Sequence, residues 1–189
     1  MSFTGKISGT ILRIAGWKVK GEKPKEKKYI IIAAPHTSNW DFPLARLTNS
    51  QLKINLKLLM KESWFFFPLN YLLKYLGVVS IDRSKPGGLI DHITNLFATN
   101  DEFIFAIAPE GTRSYTEYWK TGFYHIALKA QVPILLSYLD YGKKTAGVGP
   151  MIYPSGDALK DFEEIMSFYR SIQARFPKKF NQYPRLGKK

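Results

Sequence analysis

The run Tyr29-Ile30-Ile31-Ile32-Ala33-Ala34-Pro35-His36-Thr37-Ser38-Asn39-Trp40-Asp41 decides the fold. Its first six residues are apolar and lack the alternation of a half-wet strand. They predict a strand over 29–34 that is buried on both faces, as in a parallel sheet covered by helices. Pro35 ends that strand. Asp41-Phe42-Pro43 carries a helix-start signal, a capping acid followed by an early proline, and predicts a short helix over 42–51. A histidine and an aspartate therefore flank a strand-to-helix junction.

Outward from this stretch, strand and helix signals alternate. Ile54, Leu56 and Leu58 alternate with polar residues and predict a second strand reaching Met60. Residues 64–75 have helical spacing, with Gly77 as a C-cap. Further strands are expected over 78–81, 101–108 and 132–139, with helices at 89–97 and 122–130 between them. Residues 142–149 read as a loop or hairpin tip before a short strand, Met151-Ile152-Tyr153. Asp157 caps a last helix with Leu159, Phe162, Met166, Tyr169 and Ile172 on one face. From Pro177 onward the chain reads as a basic tail without periodicity. No repeat or linker interrupts this order. The expected fold is a single α/β domain over 1–189, with a mostly parallel central sheet flanked by helices.

The net charge is +13, from 28 Lys and Arg against 15 Asp and Glu, which predicts an anionic partner: nucleic acid, anionic lipid or a phosphorylated substrate. A generally solvated basic surface explains the same number. There is no cysteine, which excludes disulfides, Cys-ligated zinc and a cysteine acyl-enzyme.

Lys6 and Arg13 interrupt the apolar residues near the start, so no cleaved signal peptide is expected. The window 64–81 contains Pro68, Asn70 and Lys74 and reads as two buried elements, not a bilayer span. The expected location is cytoplasmic, peripheral at the inner face of a membrane. Phe3, Ile7, Ile11 and Ile14 recur at helical offsets. That helix either packs on its own domain or lies among lipid headgroups. Trp17 and the lysines at 18, 20, 23, 25, 27 and 28 suit an anionic membrane surface.

Three predicted strands end in polar clusters: residues 36–41, Asp82-Arg83-Ser84, and Glu110-Gly111-Thr112-Arg113-Ser114. If those strands are parallel, all three clusters face the crevice at the carboxyl edge of the sheet. His36 and Asp41 are five residues apart, about 140° around a straight helix, so they meet only if the segment bends. A bent pair suits proton transfer, with Asp41 holding one imidazole nitrogen while the other acts as base. Asp41 as a mere helix cap is the plainer reading. No Gly-x-Ser-x-Gly elbow is present, so Ser38 reads as a capping or orienting hydroxyl and not a nucleophile. Arg83 and Arg113 offer planar guanidinium forks that match phosphate. Glu110 is expected to orient Arg113 or to accept a substrate hydroxyl. Gly111 allows close backbone approach, Thr112 donates a hydrogen bond, and Lys120 adds positive charge.

These residues resemble the phospholipid/glycerol acyltransferase family, which includes lysophosphatidic acid acyltransferases. His36 to Asp41 is similar to the family's His-x4-Asp block, with Ser38 at its usual place. Gly77 and Arg83 have the spacing of the second block. Glu110 to Ser114 matches the third block completely, and Val132-Pro133-Ile134 matches the opening of the fourth. Pro35, Ser80 and Leu136 depart from the common pattern. The resemblance covers roughly residues 29–140. It implies transfer of a fatty acyl group from acyl-CoA or acyl carrier protein to a glycerol-phosphate hydroxyl, first of all that of 1-acyl-glycerol-3-phosphate. His36 then removes the hydroxyl proton, Asp41 orients it, and Arg83 and Arg113 grip the phosphate. Glu110, Gly111 and Thr112 shape the acceptor site, and backbone N–H groups near the His36 loop are candidate oxyanion donors. No cofactor or metal is expected beyond the thioester co-substrate. The competing readings are an esterase or thioesterase on the same scaffold and a nucleic-acid-binding module. The latter is disfavoured because the aromatic residues cluster in apolar runs.

Overall fold

The computed structural model describes residues 3–62, 66–71, 78–81 and 88–187. Among the described residues the central sheet has five strands: β1 (Lys18–Lys20), β2 (Lys28–Ala33), β5 (Phe103–Ile107), β7 (Ile134–Asp140) and β8 (Thr145–Ile152), in the order β1-β8-β7-β2-β5. β2 lies parallel to both β5 and β7, β1 lies parallel to β8, and β7 and β8 are antiparallel. Two further strands, β3 (Leu58–Lys61) and β4 (Val78–Ile81), form their own parallel pair, and Lys57 bridges to Phe105 at the edge of the main sheet. Ile54 and Leu56 are buried as expected from their alternation, but the ladder begins only at Leu58.

The apolar run at 29–33 is buried on both faces because each face has its own core. Ile30 and Ile32 pack with Phe97, Phe105, Phe123 and Ile165. These come from helices α3 (Gly88–Thr99), α4 (Gly122–Ala130) and α5 (Ala158–Tyr169) and from the sheet itself. Tyr29 and Ile31 face the other way, against Ile54, Leu56, Leu135 and Val148. Asp157 caps α5 as predicted, its carboxylate accepting from the backbone N–H groups of Leu159 and Lys160. Tyr169, at the end of α5, is fully buried, and its hydroxyl lies 2.9 Å from the Ile32 carbonyl and 3.1 Å from that of Ser137. It ties the helix to two adjacent parallel strands just below the crevice.

Helix α1 (Phe3–Ile14) packs on α2 (Asp41–Gln51), but through a different face from the one its isoleucines suggest. Gly5, Ser8 and Leu12 are buried. A Cβ at Gly5 would stand 3.1 Å from the Ser50 carbonyl oxygen, so the small residue allows the helices to approach closely. Ile7, Ile11 and Ile14 point outward, with Ile14 82% exposed.

Two stretches that looked merely basic have structure. Lys18–Lys20 is an edge strand paired with β8, its lysines outward and Val19 half-buried between them. The tail from Pro177 carries a turn of 3-10 helix (Pro177–Lys179), a buried Phe180, and a strand, β9 (Arg185–Leu186), that pairs with β6 (Tyr118–Trp119). It is therefore part of the domain and not a free tail. The Gly142–Gly149 loop is a hairpin whose second strand begins earlier than expected, at Thr145.

Candidate active site

Parallel strands β2, β5 and β7 bring their carboxyl ends to one edge, and the polar clusters at 36–41 and 110–114 meet there. The third cluster, with Arg83, lies outside the described residues, as does the expected C-cap Gly77. Asp41 does not cap α2. Trp40 occupies the N-cap position, and Asp41 is the first helical residue. Its carboxylate turns back into the junction, where Oδ2 accepts from the backbone N–H groups of Thr37 and Ser38, both at 2.9 Å. The same oxygen lies 3.1 Å from His36 Nδ1. The bend that the pair needs is thus built around the aspartate itself.

Asp41 is 5% exposed. Burial alone raises the pKa of its carboxyl, but hydrogen bonds from His36, Tyr141 and Ser38 outweigh that effect, and the pKa is lowered overall. Ser38 is a local orienting residue, since its hydroxyl accepts from the Trp40 N–H at 3.2 Å. The Thr37 hydroxyl accepts from the N–H of Phe176, which pins the loop to the segment after α5.

Glu110 turns to the backbone of the His36 loop, while Arg113 pairs elsewhere. Glu110 is 5% exposed, and both its carboxyl oxygens lie 3.1 Å from the backbone N–H of His36. It supports the His36 loop from beneath. Burial pushes its pKa up to about 8, against the hydrogen bond from His36 and with help from the Asp41 charge. Arg113 is instead joined to the first cluster, donating from Nη1 to Asn39 Oδ1. The expected oxyanion donors are also engaged: the N–H groups of His36, Thr37, Ser38 and Trp40 all bond within the junction or to Glu110.

Gly111 adopts a left-handed φ of +65°, and a Cβ there would meet Lys120 Cε at 2.6 Å. Lys120 therefore lies against the turn, held by its own N–H on the Pro109 carbonyl. The Thr112 hydroxyl accepts from the Ser114 N–H and shapes the turn.

His36 stands between two concavities. On one side is an apolar cavity of about 180 Å³ between the sheet and α2, lined by Ile31, Leu56, Leu58, Ala106 and Leu139. On the other side is an open cleft lined by Gly111, Thr112, Arg113 and Ser114. Sequence reasoning missed Tyr141 and Arg175. The Tyr141 hydroxyl donates to Asp41 Oδ1 at 2.7 Å, and the Arg175 guanidinium lies 5.8 Å from the rings of both Tyr141 and Trp40. One signal pointed to Tyr141: it follows the last residue of a parallel strand and so falls at the same crevice.

Fold and motif order agree on a class, and the chain belongs to the acyltransferase family. The family's sequence model, described as Acyltransferase, matches residues 16–136. The fold is similar to the crystal structure of the 1-acyl-sn-glycerophosphate (LPA) acyltransferase PlsC from Thermotoga maritima. That likeness has a TM-score of 0.59 and 20% sequence identity, covering 92% of this chain and 79% of that one. No curated protein matches the chain. Among the described residues no helix is long and apolar enough to cross a membrane.

Proposed function

We propose that the chain transfers a fatty acyl group from a thioester, acyl-CoA or acyl carrier protein, to the free hydroxyl of a glycerol-phosphate acceptor, with 1-acyl-glycerol-3-phosphate the preferred case. The observation that carries this reading is the position of His36, which lines both the apolar cavity and the polar cleft. An acyl chain fits the first and a phosphate the second, so the ester bond forms between them.

Asp41 holds Nδ1 of His36, leaving Nε2 to take the proton of the acceptor hydroxyl. The hydroxyl oxygen attacks the thioester carbonyl, and the C–S bond breaks as the tetrahedral intermediate collapses. The leaving thiolate takes the proton back from the imidazolium, so the base is regenerated. Arg113 meets the acceptor phosphate, with Lys120 adding positive charge beside the Gly111 turn. By sequence, Arg83 shares that work. Glu110 keeps the His36 backbone in place and, buried beneath the loop, leaves the phosphate to the cations.

The acyl substrates reach this site from a membrane surface. The outward isoleucines of α1 sit on one side of the domain, and Trp40 and Phe42, at the start of the adjoining helix, are more than half exposed. With the basic residues of 18–28 they form a peripheral anchor for an anionic bilayer.

The experiment is an acyl-transfer assay over a panel of acceptors with and without a phosphate, using acyl-CoA and acyl carrier protein in parallel. Ester formation restricted to phosphate-bearing glycerol acceptors supports the reading. Hydrolysis of the thioester without transfer to any acceptor contradicts it.

A further inference from the structure

Tyr141 is the first residue after β7, at the mouth of the crevice and a hundred residues from Asp41. Its ring is held on several sides. Trp17 meets it edge-on at 5.0 Å and 88°, and the Arg175 guanidinium lies 5.8 Å away. Its backbone N–H is fixed to the Gln173 carbonyl at 2.9 Å. So anchored, the hydroxyl donates to Asp41 Oδ1, the carboxylate oxygen opposite the one that faces His36.

We propose that Tyr141 is a positioning residue that sets the basicity of the His36–Asp41 pair by donating a hydrogen bond to Asp41. The inference rests on the reading of His36 as the base. A carboxylate stabilised by a donor on one oxygen attracts an imidazolium less strongly through the other. The same bond fixes the carboxylate plane, so that Oδ2 stays directed at Nδ1. Tyr141 lines neither the apolar cavity nor the cleft, so it acts through Asp41 and not through substrate.

Other charges act on the same carboxylate. Glu110 approaches from the loop after β5, and Arg175 faces both the Tyr141 ring and its hydroxyl. Arg46, from α2, lines the cavity that Asp41 shares. Arg175 also acts on the Tyr141 hydroxyl, so Tyr141→Phe releases that contact together with the one to Asp41, whereas a fluorinated ring keeps both partners and is the cleaner probe.

The test is the pH dependence of kcat/KM for acyl transfer in the wild type, in Tyr141→Phe and in a chain carrying 3-fluorotyrosine at 141. Tyr141→Phe removes the donor. The acidic limb is expected to move up by about half a pH unit, with kcat down several-fold and the acceptor KM unchanged. Fluorination strengthens the donor while keeping the shape of the ring, so the limb moves down, and this chain serves even where Tyr141→Phe folds poorly. A limb that stays in place in both chains overturns the proposal. His36→Ala run beside them separates the two levels: an active His36→Ala removes the base reading itself, whereas an inactive one with an unmoved limb removes only the role of Tyr141.

Discussion

His36 Nδ1 and Asp41 Oδ2 lie 3.1 Å apart although five residues separate them. A regular helix would set them about 140° apart. The chain closes the gap by turning at the end of β2, with Thr37 and Ser38 donating their backbone N–H groups to the same oxygen. Asp41 is thus both the partner of the histidine and the centre of the turn that presents it.

Asp41→Asn follows from this double role. The amide still accepts from the loop, but it no longer carries the charge that stabilises an imidazolium. The expected result is a kcat loss of about 10²-fold or more with a smaller change in acceptor KM, measured by steady-state acyl transfer.

Glu110 predicts a dependence of stability on pH. Its folded-state pKa of about 8 lies above the ordinary value of 4.5. Below the ordinary value both folded and unfolded chains carry the proton, and the contribution is fully present. As pH rises from there to 8, the unfolded chain ionises first, and stability is lost by up to about 1.4 kcal/mol per pH unit. Above 8 the loss levels off. Glu110→Gln keeps an acceptor for the His36 N–H and removes the ionisation. Urea unfolding at a series of pH values is expected to show the decline in the wild type and a flatter curve in the variant.

Arg113→Ala tests the phosphate contact. Its guanidinium reaches the open cleft and also joins Asn39, so truncation weakens acceptor binding and loosens the link between the two loops. The acceptor KM is expected to rise roughly tenfold or more, with a smaller fall in kcat. A thioesterase on this scaffold would instead hydrolyse its thioester at the wild-type rate.

Replacing Ile7, Ile11 and Ile14 with serine tests the membrane surface. These side chains are exposed, so the fold is expected to keep its stability. Sedimentation with anionic vesicles is expected to fall several-fold, since each buried isoleucine contributes on the order of 2 kcal/mol. Unchanged sedimentation places the anchor elsewhere.

The elements that were readable from sequence were those whose environment is uniform along their length. β2 is buried on both faces and reads as an unbroken apolar run, and α5 announces itself through Asp157. The meeting of 36–41 with 110–114 followed from parallel strands sharing an edge. What escaped were short pieces whose stability comes from distant partners. β1 hides in a lysine run because an edge strand keeps its polar side chains in water. β9 and β6 are two residues each, too short for a period. Tyr141 and Arg175 join the site through tertiary packing alone. Helix α1 was legible as a helix, but not which face it buries, because Gly5 and Ser8 pack by closeness and not by hydrophobicity.

The central claim is that His36 is the base that activates the acceptor hydroxyl, and His36→Ala tests it most directly. Wild type and variant are compared for acyl transfer from acyl-CoA to 1-acyl-glycerol-3-phosphate, with thermal unfolding measured alongside. The predicted result is a folded variant whose turnover falls by about 10²–10⁴-fold. A folded His36→Ala chain that transfers acyl groups as fast as the wild type would contradict it.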